Sequence, residues 1–484
     1  MSGERGELAL VLHTHMPYVE GFGTWPFGEE WLWEAVAGVY LPLLDVLGEA
    51  PVTIGLTPVL CDQLELLSGE AGERLVRFMA GTRLPIHAQD AAGCDAGGEP
   101  ELAAELRRAA GDYGSVATSL DALGGDVVGA FRALATDGPA ELWTSSATHA
   151  VLPLLGSDAG IRLQVRTALA SHERRFGRPP AGFWLPECAY EPGLERFLEE
   201  RGASVFCVDQ TLRLGLGSLD HLQPVAASGG ATAVPLDWDT IRLVWDDRSG
   251  YPVHSLYRDY HRRTVHDLHP WSNSGEPYRR DDALALAREH ARDFVARTIA
   301  RLDRHGAERG RPGLVCCALD TELLGHWWYE GPEWLRGVLE ESRTQGLALS
   351  PLGEAVARRE PVERQLAASS WGRGKDLSTW DSPMVAELAF AARSAELRTV
   401  AAAAGTADSR ALARAARELM ALQSSDWAFM VTRDLASDYP QRRVEAHAAA
   451  HDAALTALTD SGSVPDPSLR NLAPGLDLSP LTAA

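Results

Sequence analysis

The chain has 484 residues, 45% hydrophobic and 23% charged, a composition that is typical of a globular protein and excludes a disordered one. Its formal net charge of −22 argues against nucleic acids and anionic membrane surfaces as partners. Six cysteines without a CxxC pair, an N-terminus without an apolar signal segment and the lack of a long apolar run predict a soluble, cytoplasmic protein with reduced thiols.

Two predicted strands flank a helix at the start of the chain. Residues 7–12 form an apolar run that stops at His13, and residues 52–56 form a second run that stops at Thr57. Residues 30–48, between them, have helical periodicity. This strand–helix–strand order predicts a parallel sheet or barrel.

Residues 62–140 interrupt this rhythm. They are rich in Ala, Glu, Arg and Leu at helical spacing, so we expect an inserted helical subdomain there. The polar, aromatic segment 245–277 predicts a long loop over the site. The Ala-rich sequence from 382 to 458 predicts further helices. Strands are predicted to return at residues 141–144, 182–185, 203–208 and 314–319.

Histidines follow the first and third of the predicted strands. His13 and His15 leave the first strand in a His-Thr-His-Met-Pro motif, and His149 follows the strand at 141–144. Such side chains can hydrogen-bond a sugar hydroxyl or hold a metal ion, and the alternative is that they cap and pack loops. Their position favours function, because α/β barrels build active sites at the carboxyl ends of strands.

An acidic residue follows the strand at 182–185. Glu187 comes directly after this apolar run, between the aromatic residues Trp184 and Tyr190. A carboxylate there is poorly solvated and costly unless it is paired or used. This favours a functional role over the alternative, an interaction with the N-terminus of a predicted helix at 192–200.

The strand at 314–319 ends in a second acid, Asp320, and Trp327, Trp328 and Tyr329 follow within ten residues. Three consecutive aromatic residues cannot all face one core, so we expect some of them at a site rim, where flat rings suit sugars. Packing at the start of a helix is the alternative. A glycine-rich loop with Trp371, followed by Trp380, is a further candidate stacking platform or else a domain hinge.

Glu187 and Asp320 are the natural pair for chemistry at a glycosidic bond. A retaining enzyme places two carboxyls about 5–5.5 Å apart, one as nucleophile and the other as acid and then base. The acid must stay protonated near neutral pH, and desolvation by Trp327 and Trp328 would assist this. Spacing alone leaves the two roles open. Lys375 is the only lysine, which nearly excludes Schiff-base chemistry and a phosphate-binding loop that ends in Gly-Lys.

Taken together, these motifs resemble the signature regions of glycoside hydrolase family 57. The matching segments are residues 13–17, 148–149, 184–190, 320–331 and 370–372, together with Ser425-Asp426-Trp427, which resembles the helical C-terminal domain of the branching-enzyme members.

The resemblance implies an α/β fold, an incomplete (β/α)7 barrel with an inserted helical subdomain and a helical C-terminal domain. The implied domains are 1–61 with 141–365 for the catalytic barrel, 62–140 for the insertion, 366–460 for the C-terminal domain and 461–484 for a Pro-containing tail. The implied partner is an α-glucan, and no cofactor or metal ion is implied. Oligomeric state stays open.

The resemblance also implies roles for individual residues. Glu187 takes the position of the nucleophile and Asp320 that of the general acid/base. The implied substrate-binding residues are His13, His15, His149, Tyr251, Trp327, Trp328, Trp371, Trp380, Asp426 and Trp427. Among them, Tyr251 resembles the tip of a mobile loop that shields the glycosyl-enzyme from water.

The resemblance to the branching-enzyme members implies that the protein cleaves α-1,4 bonds of a glucan by a retaining double displacement and transfers the chain to a 6-hydroxyl. Three alternatives to this branching activity stay open from the sequence. The stretch between the loop of Tyr251 and Asp320 is shorter than in branching members. The first alternative is therefore an α-1,4-glucan hydrolase or a 4-α-glucanotransferase. A metal-dependent polysaccharide deacetylase would use His13, His15 and an acid as ligands. A non-catalytic glucan-binding protein is the third alternative.

Overall fold

A continuous apolar run makes the first strand of the sheet fully buried. In the computed structural model, which describes residues 5–405, 410–459 and 471–482, all eight residues of Glu7–Thr14 are buried. A strand buried on both faces needs such a sequence rather than alternation. The strands are β1 Glu7–Thr14, β2 Thr53–Leu56, β3 Glu141–Ser145, β4 Gly182–Trp184, β5 Val205–Val208, β6 Val225–Ala226, β7 Thr232–Pro235, β8 Leu314–Asp320, β9 Ala348–Leu349 and β10 Val362–Glu363.

The strands form one sheet in the order β10-β6-β7-β5-β4-β3-β2-β1-β8, with β9 beside β1. From β8 through β1 to β5 and β7 the neighbouring strands are parallel, so their carboxyl ends share one rim. Between β7 and β8 the backbone N–H of Asp237 donates to Cys316 O at 2.9 Å. No β-ladder joins these two edges within the described residues, so the predicted incomplete (β/α)7 barrel is confirmed.

Helices cover the sheet and fill the insertion and the C-terminal region. They are α1 Glu29–Ala35, α2 Leu41–Leu47, α3 Pro58–Leu64, α4 Glu70–Phe78, α5 Leu84–Ala96, α6 Pro100–Ala122, α7 Val127–Thr136, α8 Asp158–Phe176, α9 Glu195–Glu199, α10 Thr211–Leu214, α11 Trp238–Trp245, α12 Arg280–Arg309, α13 Gly331–Gln345, α14 Leu352–Ala357, α15 Ala386–Ala403, α16 Arg410–Leu422, α17 Ser425–Thr432, α18 Tyr439–Thr459 and α19 Ser479–Thr482. None of the helices in the described ranges is long and apolar enough to cross a bilayer.

Most element predictions are confirmed, and four short strands, β6, β7, β9 and β10, were missed. The predicted strands all occur, and residues 62–140 contain helices and no strand. The segment after α11 is irregular apart from a short turn at Tyr251–Val253. The sequence did not predict β7, because its four residues lie directly after a glycine turn at Gly229 and Gly230. The domain boundaries stay a prediction, and half of the proposed tail, residues 461–470 and 483–484, lies outside the described residues.

The six cysteines are all free, as expected of reduced thiols, and five of them are buried. Two large clusters of apolar side chains lie against the sheet. One surrounds β1, β2 and β8, and the other joins β4 and β5 to α15, α16 and α18. The second cluster fixes the C-terminal helices against the carboxyl rim of the sheet.

Candidate active site

A cleft of about 1190 Å³ opens over the carboxyl rim of the sheet. His13 and Asp320 are register partners on β1 and β8, and both line the cleft. His149 follows β3 and Glu187 follows β4. The parallel strands therefore bring together four of the side chains that the sequence singled out.

Glu187 is held in a strained backbone conformation. Its φ of 61° lies in the left-handed region, as do the φ values of His149 and Cys188. Such residues cost on the order of 1–3 kcal/mol each and persist where the surrounding structure enforces them. Their clustering around one carboxyl marks this turn as functional.

Two hydrogen bonds orient the Glu187 carboxyl. The Ser425 hydroxyl donates to Oε1 at 2.8 Å, and the Trp371 indole N–H donates to Oε2 at 3.0 Å. Burial raises the pKa of Glu187, and these two hydrogen bonds oppose that rise by stabilising the carboxylate. The backbone of Trp371 also donates to Glu187 O, at 2.9 Å.

A chain of hydrogen bonds fixes the tautomers of two histidines behind Glu187. Because the Ser425 hydroxyl donates to Glu187, its oxygen accepts from His149 Nδ1 at 2.8 Å. His149 Nε2 then accepts from His13 Nε2, 2.9 Å away. Burial lowers the pKa of both His13 and His149 well below the usual range, so both rings are neutral.

Asp320 has an environment opposite to that of Glu187. Its carboxyl makes no hydrogen bond to any residue that the structure describes. Burial raises its pKa well above the usual range, and the nearby carboxylates of Glu322 and Glu187 raise it further. A carboxyl of this kind keeps its proton near neutral pH, as a general acid must.

Glu322 is a third carboxyl in the cleft. Its Oε1 accepts from the Tyr40 hydroxyl at 2.7 Å and from the backbone N–H of His15 at 3.3 Å. Burial raises its pKa to about 7 against the effect of these hydrogen bonds.

His15 forms an ion pair with Asp426 across the cleft floor. The distance from His15 Nε2 to Asp426 Oδ2 is 2.9 Å, and both side chains are largely buried. Although burial lowers the pKa of His15, the Asp426 carboxylate outweighs that effect and raises it. The His15 ring contacts the Thr57 hydroxyl with Nδ1, at 3.1 Å.

Metal-ligand atoms of His15, His149 and Asp426 also lie within 4.8 Å of one another. The ring nitrogens of His149 and the carboxylate of Asp426 already take part in the hydrogen bonds described above. His149 thus helps to orient Glu187 through Ser425, and His15 binds Asp426 on α17.

The aromatic residues expected along the groove divide into two groups. Trp371 and Trp327 line the cleft, and Trp327 is 47% exposed. Trp328, Trp380 and Trp427 are buried and do not line the cleft, so their contact with substrate stays a prediction that this structure does not support. Trp328 packs on Tyr257 and Trp334 because the chain turns between two adjacent tryptophans.

Tyr251 is also placed outside the cleft, against expectation. Its ring stacks on His290, and its hydroxyl donates to Asp293 at 2.8 Å, both on α12. The tyrosine of this loop that does line the cleft is Tyr260, whose ring lies 4.3 Å from Trp327.

The loop that carries Trp371 is anchored by the only lysine of the chain. Lys375 Nζ lies 2.9 Å from Asp209 Oδ2 and 3.3 Å from the centre of the Trp238 ring. Asp209 follows β5, so this ion pair ties the loop to the barrel rim.

Sequence reasoning missed two residues that line the cleft, Glu322 and Glu30. It also missed two buried residues that hydrogen-bond cleft carboxyls, Ser425 and Tyr40. Ser425 is next to Asp426 and Glu322 is two residues from Asp320, and this proximity to identified residues was the available signal. Tyr40 and Glu30 lie in a segment with helical periodicity. In such a segment an aromatic residue is expected in the core and an acidic residue on the surface, so neither indicates a site.

Two family profiles match the chain. That of glycosyl hydrolase family 57 matches residues 113–364, and that of the C-terminal domain of 1,4-alpha-glucan branching enzymes matches residues 389–474.

Relatives match over most of the chain. A 1,4-alpha-glucan branching enzyme of Thermococcus kodakarensis is 33% identical over 92% of this chain and 72% of its own length. A probable 1,4-alpha-glucan branching enzyme of Mycobacterium tuberculosis is 34% identical over 92% of this chain and 90% of its own. The crystal structure of a GH57-type branching enzyme from Pyrococcus horikoshii has a TM-score of 0.90 and 31% identity, covering 99% and 97% of the two chains.

Proposed function

The chain belongs to glycosyl hydrolase family 57, and we propose that it is a 1,4-α-glucan branching enzyme. It cleaves an α-1,4 bond and transfers the released chain to a 6-hydroxyl. The observation that carries the proposal is that Glu187 and Asp320, from two different strands, line one aromatic-walled cleft. The family match and the branching-enzyme relatives support it further.

We assign Glu187 as the nucleophile and Asp320 as the general acid/base. The hydrogen bonds from Ser425 and Trp371 favour the ionised form of Glu187, which attacks the anomeric carbon. The raised pKa of Asp320 keeps a proton for the leaving oxygen. The deprotonated Asp320 then removes the proton of the incoming 6-hydroxyl, whose oxygen bonds to the anomeric carbon as the bond to Glu187 breaks. This step restores both carboxyls.

Incubation with amylose tests the proposal. Branching gives new α-1,6 anomeric proton signals in the NMR spectrum with few new reducing ends. Reducing ends without α-1,6 signals identify a hydrolase, and new chain lengths without either identify a 4-α-glucanotransferase. Glu187→Gln is the inactive control. Activity that persists after exhaustive chelation separates all three from a metal-dependent deacetylase.

A further inference from the structure

Glu30 is a buried carboxyl in the cleft wall without a protein partner. It lies on α1, lines the cleft and is only 7% exposed. Within the described ranges neither of its carboxyl oxygens has a hydrogen-bond partner. Oε2 is shielded from solvent, and Oε1 is the oxygen that a ligand in the cleft can reach. A buried polar group without a partner costs on the order of 1–3 kcal/mol, so its presence calls for a ligand.

Glu34, one turn later on the same helix, has hydrogen-bond partners for both of its carboxyl oxygens. Its Oε1 accepts from Arg83 Nε at 2.5 Å, and its Oε2 accepts from the Tyr113 hydroxyl at 2.7 Å. Arg83 is therefore committed to Glu34 rather than to Glu30. Of these two carboxyls on α1, only that of Glu30 lacks hydrogen bonds to the described residues.

The environment of Glu30 suits a neutral hydroxyl ligand. Burial raises the pKa of Glu30 to about 8, and although Arg83 opposes this rise, the carboxylates of Glu34 and Asp267 add to it. A protonated carboxyl offers one donor and one acceptor, which is the pattern that sugar hydroxyls pair with. A cationic ligand would find this carboxyl largely uncharged at neutral pH.

Glu30 lies on a helix face whose other end, at Gly38, meets the loop that follows Asp320. Glu30, Glu34 and Gly38 all line the cleft, and Gly38 approaches Gly325, in the loop after Asp320. At about 1.5 Å of rise per residue, Glu30 is roughly 12 Å from Gly38 along this face. A glucan would have to extend well beyond the scissile bond to reach it.

We propose that Glu30 hydrogen-bonds a hydroxyl of the α-glucan chain, in a subsite that only chains extending beyond the catalytic centre reach. The inference rests on the proposed function for its ligand, an α-1,4-linked glucan. It adds a site that recognises chain length rather than the reacting bond.

The test compares Glu30→Ala and Glu30→Gln with the wild type and with Glu49→Gln, a control whose side chain is 91% exposed. Dissociation constants are measured for amylose by affinity electrophoresis and for maltotriose by titration calorimetry. We expect Glu30→Ala to weaken amylose binding about 3–10-fold, the loss of one hydrogen bond, with maltotriose unchanged. Glu30→Gln, which keeps a donor and an acceptor, should stay within about twofold of the wild type.

Three outcomes would overturn the subsite. The first is that Glu30→Ala binds amylose as tightly as the wild type, which would mean that the carboxyl binds only water. The second is that Glu30→Ala loses equal affinity for amylose and for maltotriose. The third is that Glu30→Ala and Glu30→Gln lose equal affinity for amylose. Thermal unfolding checks that each variant is folded. If amylose gains no α-1,6 linkages, the branching proposal fails separately, because binding is measured independently of the linkage formed.

Discussion

Glu187 and Asp320 differ in which protonation state their surroundings favour. Glu187 accepts two hydrogen bonds from the protein, whereas Asp320 is buried beside two other carboxyls. Hydrogen bonds to the charged form stabilise a carboxylate, and burial among like charges stabilises the acid. The residue environments thus support the proposed assignment of Glu187 as nucleophile and Asp320 as acid, which the spacing of the two residues in the sequence left open.

Azide rescue tests these two roles. We expect Glu187→Gly and Asp320→Gly each to lose about three orders of magnitude or more in kcat. Azide should then yield a β-glycosyl azide with Glu187→Gly, because it replaces the nucleophile, and an α-glycosyl azide with Asp320→Gly, because it attacks the glycosyl-enzyme. The anomeric coupling in the NMR spectrum distinguishes them, and the reverse pattern would exchange the roles.

Glu322 sets the alkaline limit of activity through its charge on Asp320. The acid must be protonated, so activity falls as pH rises through the pKa of Asp320, which the Glu322 carboxylate helps to raise. Glu322→Gln removes that repulsion and should move the alkaline limb of kcat/KM about one pH unit lower. Glu322→Asp keeps the charge and serves as the control. An unshifted limb in the Gln variant would contradict this coupling.

At this scale the sequence predicted the residues that follow strands and missed those set by tertiary contact. Glu187, Asp320 and His13 were found because strand ends converge at one rim. Glu30 and Tyr40 were not identified because helical periodicity does not show which side of a helix faces the site.

At the scale of elements, the loop from Ser369 to Asp381 positions Trp371 against Glu187. Lys375 anchors it to Asp209. We expect Lys375→Ala to lower kcat about tenfold with a smaller change in KM, because the indole donor loses its position. Arg373→Ala, an exposed change in the same loop, is the control.

A double-mutant cycle with Trp371→Phe separates positioning from general destabilisation. If Lys375 acts through Trp371, the two losses in kcat are not additive. Additive losses would show that Lys375 does not work through the indole. Urea denaturation reports any loss of stability separately.

The long loop after α11 supplies Tyr260 to the cleft and keeps Tyr251 in the core. We expect Tyr260→Ala to admit water and to raise the ratio of reducing ends to α-1,6 linkages several-fold. Tyr251→Phe removes a hydrogen bond to Asp293 outside the cleft and should leave that ratio unchanged. The opposite result would restore Tyr251 as the shielding residue.

Element prediction succeeded where periodicity was strong and failed where the chain was irregular. The parallel strands and the helical insertion follow from apolar runs and helical spacing. Which tyrosine of a long loop enters a cleft depends on packing against α12, which periodicity does not encode.

At the scale of the whole molecule, the site joins the barrel to the C-terminal helices. Ser425 and Asp426, at the start of α17, contact Glu187 and His15 from the barrel. The cleft is complete only when both regions are in place. The domain boundaries inferred from sequence do not show this, because Asp426 lies more than 400 residues from His15 along the chain.

The ion pair between His15 and Asp426 should make the association of the barrel with the C-terminal helices depend on pH. Asp426 raises the pKa of His15, and His15, with Ser424, lowers that of Asp426 in spite of burial. The stabilisation is therefore fully present between the ordinary pKa values of aspartate and histidine. It is lost as pH rises through the raised pKa of His15 or falls through the lowered pKa of Asp426.

Asp426→Asn tests this dependence. At pH 6 we expect it to lower the free energy of unfolding by about 3–5 kcal/mol, because it leaves a buried imidazolium unpaired. At a second, higher pH, above the raised pKa of His15, the ring is neutral and the loss should be much smaller. Asp438→Asn, which removes a surface partner of Arg442, should cost less than about 1 kcal/mol at either pH. An equal loss for Asp426→Asn at both pH values would mean that hydrogen bonding, and not charge, joins the two regions.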